Sequence, residues 1–139
     1  AITAGCGNMS MEGGFLAGLV GGIIVVYSIE FIEKVLKIDD AIGAASAHGV
    51  AGAWGTLVIG LWGTDGGTGI GLFNGGGFSQ LGIQAIGVAA YGAWTIVTTL
   101  ALLYILKATI GLRVSEEDEK LGLDESEHGE KAISSDLLA

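Results

Sequence analysis

The sequence predicts an all-α integral membrane protein in which three transmembrane helices precede an acidic tail. Residues 13–29 and 66–106 contain no charged side chain, and residues 41–64 contain none apart from the titratable imidazole of His48. At a rise of 1.5 Å per residue, about 20 residues cross a hydrocarbon core of roughly 30 Å, so each run, with its flank, is long enough. Buried helices of a large soluble protein are the alternative, which the length of these uncharged runs disfavours.

The distribution of charge divides the chain into a transmembrane region, residues 1–113, and a cytoplasmic tail, residues 114–139. Only 15% of the 139 residues are charged, whereas 50% are hydrophobic. Nine of the fifteen acidic residues lie between positions 116 and 136. The formal net charge of -9 repels phosphate backbones, so no nucleic-acid partner is expected. The single cysteine, Cys6, cannot form an internal disulfide.

The basic residues predict how the helices cross the membrane. We expect helices over about 13–36, 40–62 and 79–111. All six lysines and arginines follow the first or the third uncharged run, and the 61–82 connection has none. By the positive-inside rule the first helix runs inward, the second outward and the third inward, which leaves the tail in the cytoplasm. The outer loop, residues 63–77, has eight glycines and is expected to be flexible or tightly turned, not a phosphate cradle.

The helix surfaces are expected to need more protein than this chain supplies. Gly14, Gly18 and Gly22 recur every four residues, which places them on one face where another helix backbone can approach closely. The second helix has small side chains on nearly every face, which favours its enclosure by other helices over contact with lipid. The chain also opens without an initiator methionine or a signal-peptide pattern. We therefore expect a piece of a longer protein.

His48 is the one ionisable side chain well inside an uncharged run, eight residues after Asp40. The helical period places Ala44, His48, Gly52 and Gly55 on one face, where small neighbours leave space beside the imidazole. One interpretation is a core histidine that ties two helices together by a hydrogen bond. The other is a pore residue, because ionisable groups at membrane depth mark ion, proton or substrate paths. A neutral imidazole, the form that desolvation favours, offers one donor and one acceptor to a small polar solute.

No enzyme site, metal site or cofactor is expected. Cys6 and His128 lie far from His48 in sequence and in the expected topology, and no carboxylate shares its depth, which argues against a metal site. Neither a Ser-His-Asp set nor a Cys-His pair can be assembled from the chain. Glu30 and Glu33, with lysines close by, are more typical of a solvated helix end than of an acid–base pair.

Two irregularly gapped motifs give the chain a family resemblance. Residues 37–62, KIDDAIGAASAHGVAGAWGTLVIGLW, and residues 111–130, GLRVSEEDEKLGLDESEHGE, closely resemble the C-terminal part of the ammonium transporters, the Amt/Mep/Rh family, and favour its Amt branch. The resemblance implies an inverted-repeat fold of about eleven spans, of which this chain would supply roughly the last three. It further implies a homotrimer in the plasma or inner membrane, with one pore per subunit.

The same resemblance implies a function. His48 matches one of two histidines that lie side by side in a hydrophobic conduction path, the other being supplied by the first repeat, outside this chain. Ammonium recruited at the outer mouth gives up its proton, and ammonia passes the histidines. A bare cation near the bilayer midplane costs at least about 3 kcal/mol, and neutral ammonia far less. The implied partners are ammonium or ammonia, membrane lipid and like subunits.

The tail has two interpretations. Taken alone, it is typical of an acidic, solvated, disordered extension. The resemblance implies instead that it folds against the cytoplasmic face, touches the neighbouring subunit, influences the pore and offers a docking surface to a PII signal protein. The matching positions are Gly122, Asp124, His128, Gly129 and Glu130. Gly122 suits a turn that a side chain would obstruct.

Three functions follow from the sequence, in order of support. Ammonium transport explains both the uncharged runs and His48. An ammonium sensor that signals through a PII-type partner is the alternative from a different class. A lone three-helix subunit that stabilises other membrane proteins would suit the chain, but it leaves His48 unexplained.

Overall fold

Helices dominate the computed structural model, which describes residues 1–65 and 69–130. The chain divides into two compact units, Ala1–Trp94 and the part from Thr95 onward. Three residues of the expected outer loop, 66–68, and the last nine of the tail, 131–139, lie outside the described residues.

The first long helix, α1, spans Met11–Phe31 and continues as a π-helical turn over Ile32–Leu36. It begins two residues before the expected position 13, because the Ser10 hydroxyl accepts a hydrogen bond from the Gly13 N–H at 3.2 Å and caps the helix. The π turn ends at Lys37, which adopts a left-handed conformation with φ 56°.

The second helical segment begins later than the expected position 40. It starts with a π-helical turn, Ala45–Val50, and continues as α2, Ala51–Trp62. Asp40 stays outside the helix, where its carboxylate accepts the Ala45 N–H at 2.9 Å and so caps the first turn. Gly43, with φ +66°, allows the chain to turn between this cap and the helix.

The third long helix, α3, spans Ser79–Thr109, close to the expected 79–111. It ends before Gly111, which has φ +84° and donates its N–H to the Leu106 carbonyl at 3.0 Å. Two short helices follow in the tail, α4 over Glu116–Leu121 and α5 over Leu123–His128. The tail is therefore helical over much of its described length.

Helices α1 and α2 pack through a face of small residues that the sequence analysis did not select. Ala17 is fully buried and its carbonyl accepts the Trp54 indole N–H at 3.1 Å. A Cβ atom on Gly13 would stand 2.9 Å from the Trp62 Cβ, and one on Gly21 would stand 2.5 Å from the Ala1 Cβ and 3.5 Å from the Trp54 ring. The close-packed face thus contains residues 13, 17 and 21.

The predicted glycine face, one position further along α1, is open within the described part of the chain. A Cβ atom on Gly14 or Gly22 would meet nothing within 4 Å, and one on Gly18 would meet only Ile2, at 3.6 Å. Both series have the same four-residue spacing, so spacing alone did not distinguish them. The difference arises because the two tryptophans of α2 require their own small partners on α1.

The described part of the outer loop is tightly turned. The Gly71 N–H donates to the Gly63 carbonyl at 2.9 Å, and the Asn74 side-chain amide donates to the carbonyls of Trp62 and Gly63 at 3.0 and 2.9 Å. The Trp62 and Phe73 rings lie 4.9 Å apart between centroids. These contacts hold the loop against the end of α2.

Two helices in the described residues are long and apolar enough to cross a membrane: Met11–Leu36, with 26 residues, and Ser79–Thr109, with 31. The second expected span is not among them, because it begins five residues late and carries serine, histidine and several glycines. Large apolar side chains on the long helices are exposed, including Phe15 at 70%, Tyr91 at 78% and Trp94 at 71%. A lipid phase or further protein must cover such surfaces.

Candidate functional site

His48 lies beside a cleft in the first unit. The cleft has a volume of about 460 Å³ and is lined by residues of the N-terminal segment, the π turn and α2: Ala1, Thr3, Ala4, Ala47, His48, Gly52 and Thr56. His48 and Gly52 share the face that the helical period predicts. Gly55 does not, because it is buried against the Ala1 carbonyl, where an added Cβ would overlap that oxygen.

The π turn determines how His48 is presented. The Ala51 N–H donates to the carbonyls of both Ser46 and His48. The bond to Ser46 spans five residues, one more than in an α-helix, so the turn here is wider than in α2. Such wide turns occur often at functional sites, because they displace side chains from the ordinary helical register. Within the described residues, His48 is exposed and its imidazole makes no hydrogen bond.

The chemical groups around the cleft are few. The Thr56 hydroxyl donates to the Gly52 carbonyl at 3.0 Å, which leaves its oxygen lone pairs to accept a hydrogen bond. The imidazole of His48 offers one donor and one acceptor in its neutral form. The remaining lining is Thr3, with a further hydroxyl, and four alanine and glycine residues. This arrangement suits a small solute with N–H groups, and it contains no carboxylate that would fix a cation.

Asp40 and Ser46 are functional candidates that sequence reasoning missed. The Asp40 carboxylate accepts the Ala45 N–H at 2.9 Å, the Ser46 N–H at 3.1 Å and the Ser46 hydroxyl at 3.0 Å. Ser46 is fully buried and Asp40 is 7% exposed. An aspartate directly before a helix is a helix-start signal, but Asp40 lies five residues before the first turn, so this signal did not identify the cap.

The hydrogen bonds to Asp40 favour its charged form. The bond from the Ala45 N–H is the largest cause that holds the pKa of this carboxyl below its ordinary value, and burial acts in the opposite direction. The N–H and hydroxyl of Ser46 add to the lowering. The carboxylate therefore carries its charge at the positive end of the helix, where the helix dipole also stabilises it.

The predicted tail residues belong to the second unit. Gly122 separates α4 from α5 with φ +102°, and a Cβ there would meet nothing within 4 Å, so the backbone conformation and not crowding requires glycine. The Glu130 N–H donates to the Asp124 carbonyl at 3.2 Å, and Gly129 adopts φ +70°. Asp124, Gly129 and Glu130 thus form the C-terminal cap of α5, whereas His128 is its exposed last residue.

Two helices of membrane-spanning length, a small-residue helix and an imidazole beside a cleft are typical of a helical membrane protein. Residues 1–133 match the Ammonium Transporter Family. The ammonium transporter of Mycobacterium bovis is 38% identical over 138 residues, which cover 94% of this chain and 29% of that protein. Ammonium transporter Amt1 of Haloferax mediterranei is 39% identical over 131 residues, covering 93% of this chain and 23% of that protein.

A solved structure named Sensor Amt Protein is also similar. It has 36% sequence identity and a TM-score of 0.76, and the similarity covers 86% of this chain and 29% of that one. The chain therefore belongs to the Ammonium Transporter Family, as its motifs predicted. It spans 29% of the Mycobacterium bovis protein, 23% of the Haloferax mediterranei protein and 29% of the solved structure.

Proposed function

We propose that the protein that carries this chain transports ammonium across a membrane, and that His48 lies on the conduction path. The observation that supports this most is the placement of His48 on a wide helical turn, beside a cleft lined mostly by alanine and glycine. Family membership and the names of the relatives support ammonium as the transported species.

The proposed mechanism separates the proton from the nitrogen. A charged ammonium ion would pay a desolvation cost of several kcal/mol in an apolar pore, while ammonia pays far less, so deprotonation at the outer mouth precedes passage. His48 then orients ammonia or relays its proton through the two ring nitrogens. A second histidine, from the part of the protein that precedes this chain, completes the pair.

The proposed architecture follows from the same membership. Residues 45–62 form a third span in addition to the two long helices, and the protein has about eleven spans in all, arranged as inverted repeats. The distribution of the basic residues supports a cytoplasmic tail. We propose that subunits form a homotrimer in the plasma or inner membrane, with a transmembrane region over residues 1–113 and a tail over 114–139.

The substitution His48→Ala in the full-length protein tests the pore role. We expect the initial rate of methylammonium uptake per molecule to fall about tenfold or more, a loss typical of removing a group that handles protons. Val26→Ala is a matched control, because Val26 is an exposed helical residue that lies away from the cleft. Equal uptake rates and equal selectivity in His48→Ala and the parent protein would move His48 to a structural role.

Signalling is the second candidate function, because a solved relative carries the name Sensor Amt Protein. In this alternative the cleft binds ammonium or ammonia and the tail passes the signal to a PII-type partner. The two functions differ in whether ammonium crosses the membrane. A sensor binds ammonium without carrying it across a sealed membrane, whereas a transporter equilibrates it.

A further inference from the structure

We propose that Ser46 and Asp40 are positioning residues for His48, holding the wide turn so that the imidazole faces the cleft. This inference rests on the proposed role of His48 in conduction. It concerns how the turn is fixed, which family membership does not settle.

The first step of the argument is the hydrogen-bond geometry. Both carboxylate oxygens of Asp40 are engaged: Oδ1 accepts the Ala45 N–H at 2.9 Å, and Oδ2 accepts the N–H and the hydroxyl of Ser46 at 3.1 and 3.0 Å. The first N–H groups of a helix otherwise lack partners. Three bonds to one anion therefore fix both the start of the helix and its rotation about the axis.

The second step is the direction of the two side chains. Ser46 is fully buried, while His48 is exposed at the cleft. Two residues correspond to roughly half a turn of a helix, so the side chains point to nearly opposite sides. Holding Ser46 inward against Asp40 consequently turns His48 outward to the cleft. Rotation of this turn would move the imidazole and separate the buried Ser46 hydroxyl from the Asp40 carboxylate.

The third step concerns the neighbours of His48. Ala47, Gly49 and Gly52 have little or no side chain, so close packing does not hold the imidazole in place. A side chain without such packing depends on hydrogen bonds in the surrounding structure to keep its orientation. The bonds between Asp40 and Ser46 are the polar contacts, in the described part of the chain, that anchor this turn from its buried side.

A double-mutant cycle in the full-length protein tests the proposal. Ser46→Ala removes the hydroxyl and retains the backbone bonds, and we expect methylammonium uptake per molecule to fall about fivefold, the equivalent of one hydrogen bond. In a His48→Gln background the same change should have no further effect, because the group that it positions is absent. Asp40→Asn should behave like Ser46→Ala in both backgrounds.

Ser28→Ala is the matched control, because the Ser28 hydroxyl also makes a hydrogen bond within a helix, to the Val25 carbonyl at 3.0 Å. Its uptake should equal that of the parent protein. An equal loss from Ser46→Ala with and without His48 would overturn the positioning role while leaving the pore role intact. If His48→Gln itself had no effect on uptake, the pore role of His48 would fail, and the positioning role with it, while ammonium transport would stand.

A chemical measurement on His48 does not depend on transport. The rate at which diethyl pyrocarbonate modifies this imidazole, followed by mass spectrometry, reports its orientation and access. We expect Ser46→Ala to change this rate by at least about twofold and Ser28→Ala to leave it unchanged. The same rate in all three proteins would contradict the positioning role, whatever the uptake assay gives.

Discussion

At the scale of single residues, the protonation of Asp40 makes the stability of the start of the second helical segment depend on pH. Its pKa lies below the ordinary value of 3.8 in the folded protein, chiefly because its carboxylate accepts the Ala45 N–H. The unfolded state consequently binds more protons at pH values between the two pKa values, so the stability of the fold rises with pH there. The stabilisation is complete above 3.8 and is lost as pH falls through the folded pKa.

The variant Asp40→Asn tests this linkage. We expect it to lower the Tm of the full-length protein in detergent at about pH 7, because the neutral amide is a weaker acceptor and its NH₂ group faces a donor. The difference in Tm between parent and variant should shrink as the pH is lowered from 3.8 towards the folded pKa of Asp40, where the carboxyl of the folded parent becomes protonated. A difference that stays constant over this range would show that the charge of Asp40 does not stabilise the fold.

The residue-scale predictions from sequence succeeded in part, for physical reasons. His48 stands out in the sequence because it is the one titratable group in a long uncharged run, and the structure places it beside a cleft. Asp40 and Ser46 do not stand out, since their bond depends on a turn at Gly43 that brings the carboxylate back to the helix start. Backbone turns of this kind have weak sequence signals.

At the scale of elements, the sequence predicted the positions of the long helices more accurately than it predicted the faces through which the helices pack. Runs of uncharged residues indicated α1 and α3 because a membrane-spanning helix must be apolar throughout its length. The faces on which helices meet depend on which residues of the partner are large. Trp54 and Trp62 select the face with Gly13 and Ala17, and this choice appears only when both helices are in place.

The tail helices α4 and α5 are the elements for which we predict a regulatory role. We propose that residues 114–139 regulate the pore through the positions Gly122, Asp124, His128, Gly129 and Glu130, and that a PII signal protein docks on the tail. Deleting residues 114–139 from the full-length protein should change the uptake rate of methylammonium by about twofold or more while the protein remains assembled, and should abolish binding of a purified PII protein.

A variant with the single change Gly122→Ala refines this test. Alanine at φ +102° is strained, so it should disturb the joint between α4 and α5 and reproduce part of the effect of the deletion. Gly92→Ala is the matched control, because Gly92 lies within α3 and a Cβ there meets nothing within 4 Å. A deletion variant that matches the parent in both uptake and PII binding would exclude the regulatory role.

At the scale of the whole molecule, the exposed apolar surface shows what the chain must be combined with. Side chains such as Phe15, Tyr91 and Trp94 are more than two-thirds exposed, and the Gly14–Gly18–Gly22 face of α1 has no helix against it in the described residues. The chain spans 29% of the length of the Mycobacterium bovis relative. The remaining protein and the lipid are the natural partners for these surfaces.

The measurement that tests the central proposal most directly is ammonium flux through the full-length protein in sealed liposomes. We expect methylammonium uptake well above that of protein-free liposomes. Gly52→Leu should reduce this uptake by about tenfold, because its side chain would fill the cleft beside His48, whereas Gly92→Leu should not. Uptake equal to that of protein-free liposomes, with ammonium still bound by the protein, would contradict transport and identify a sensor.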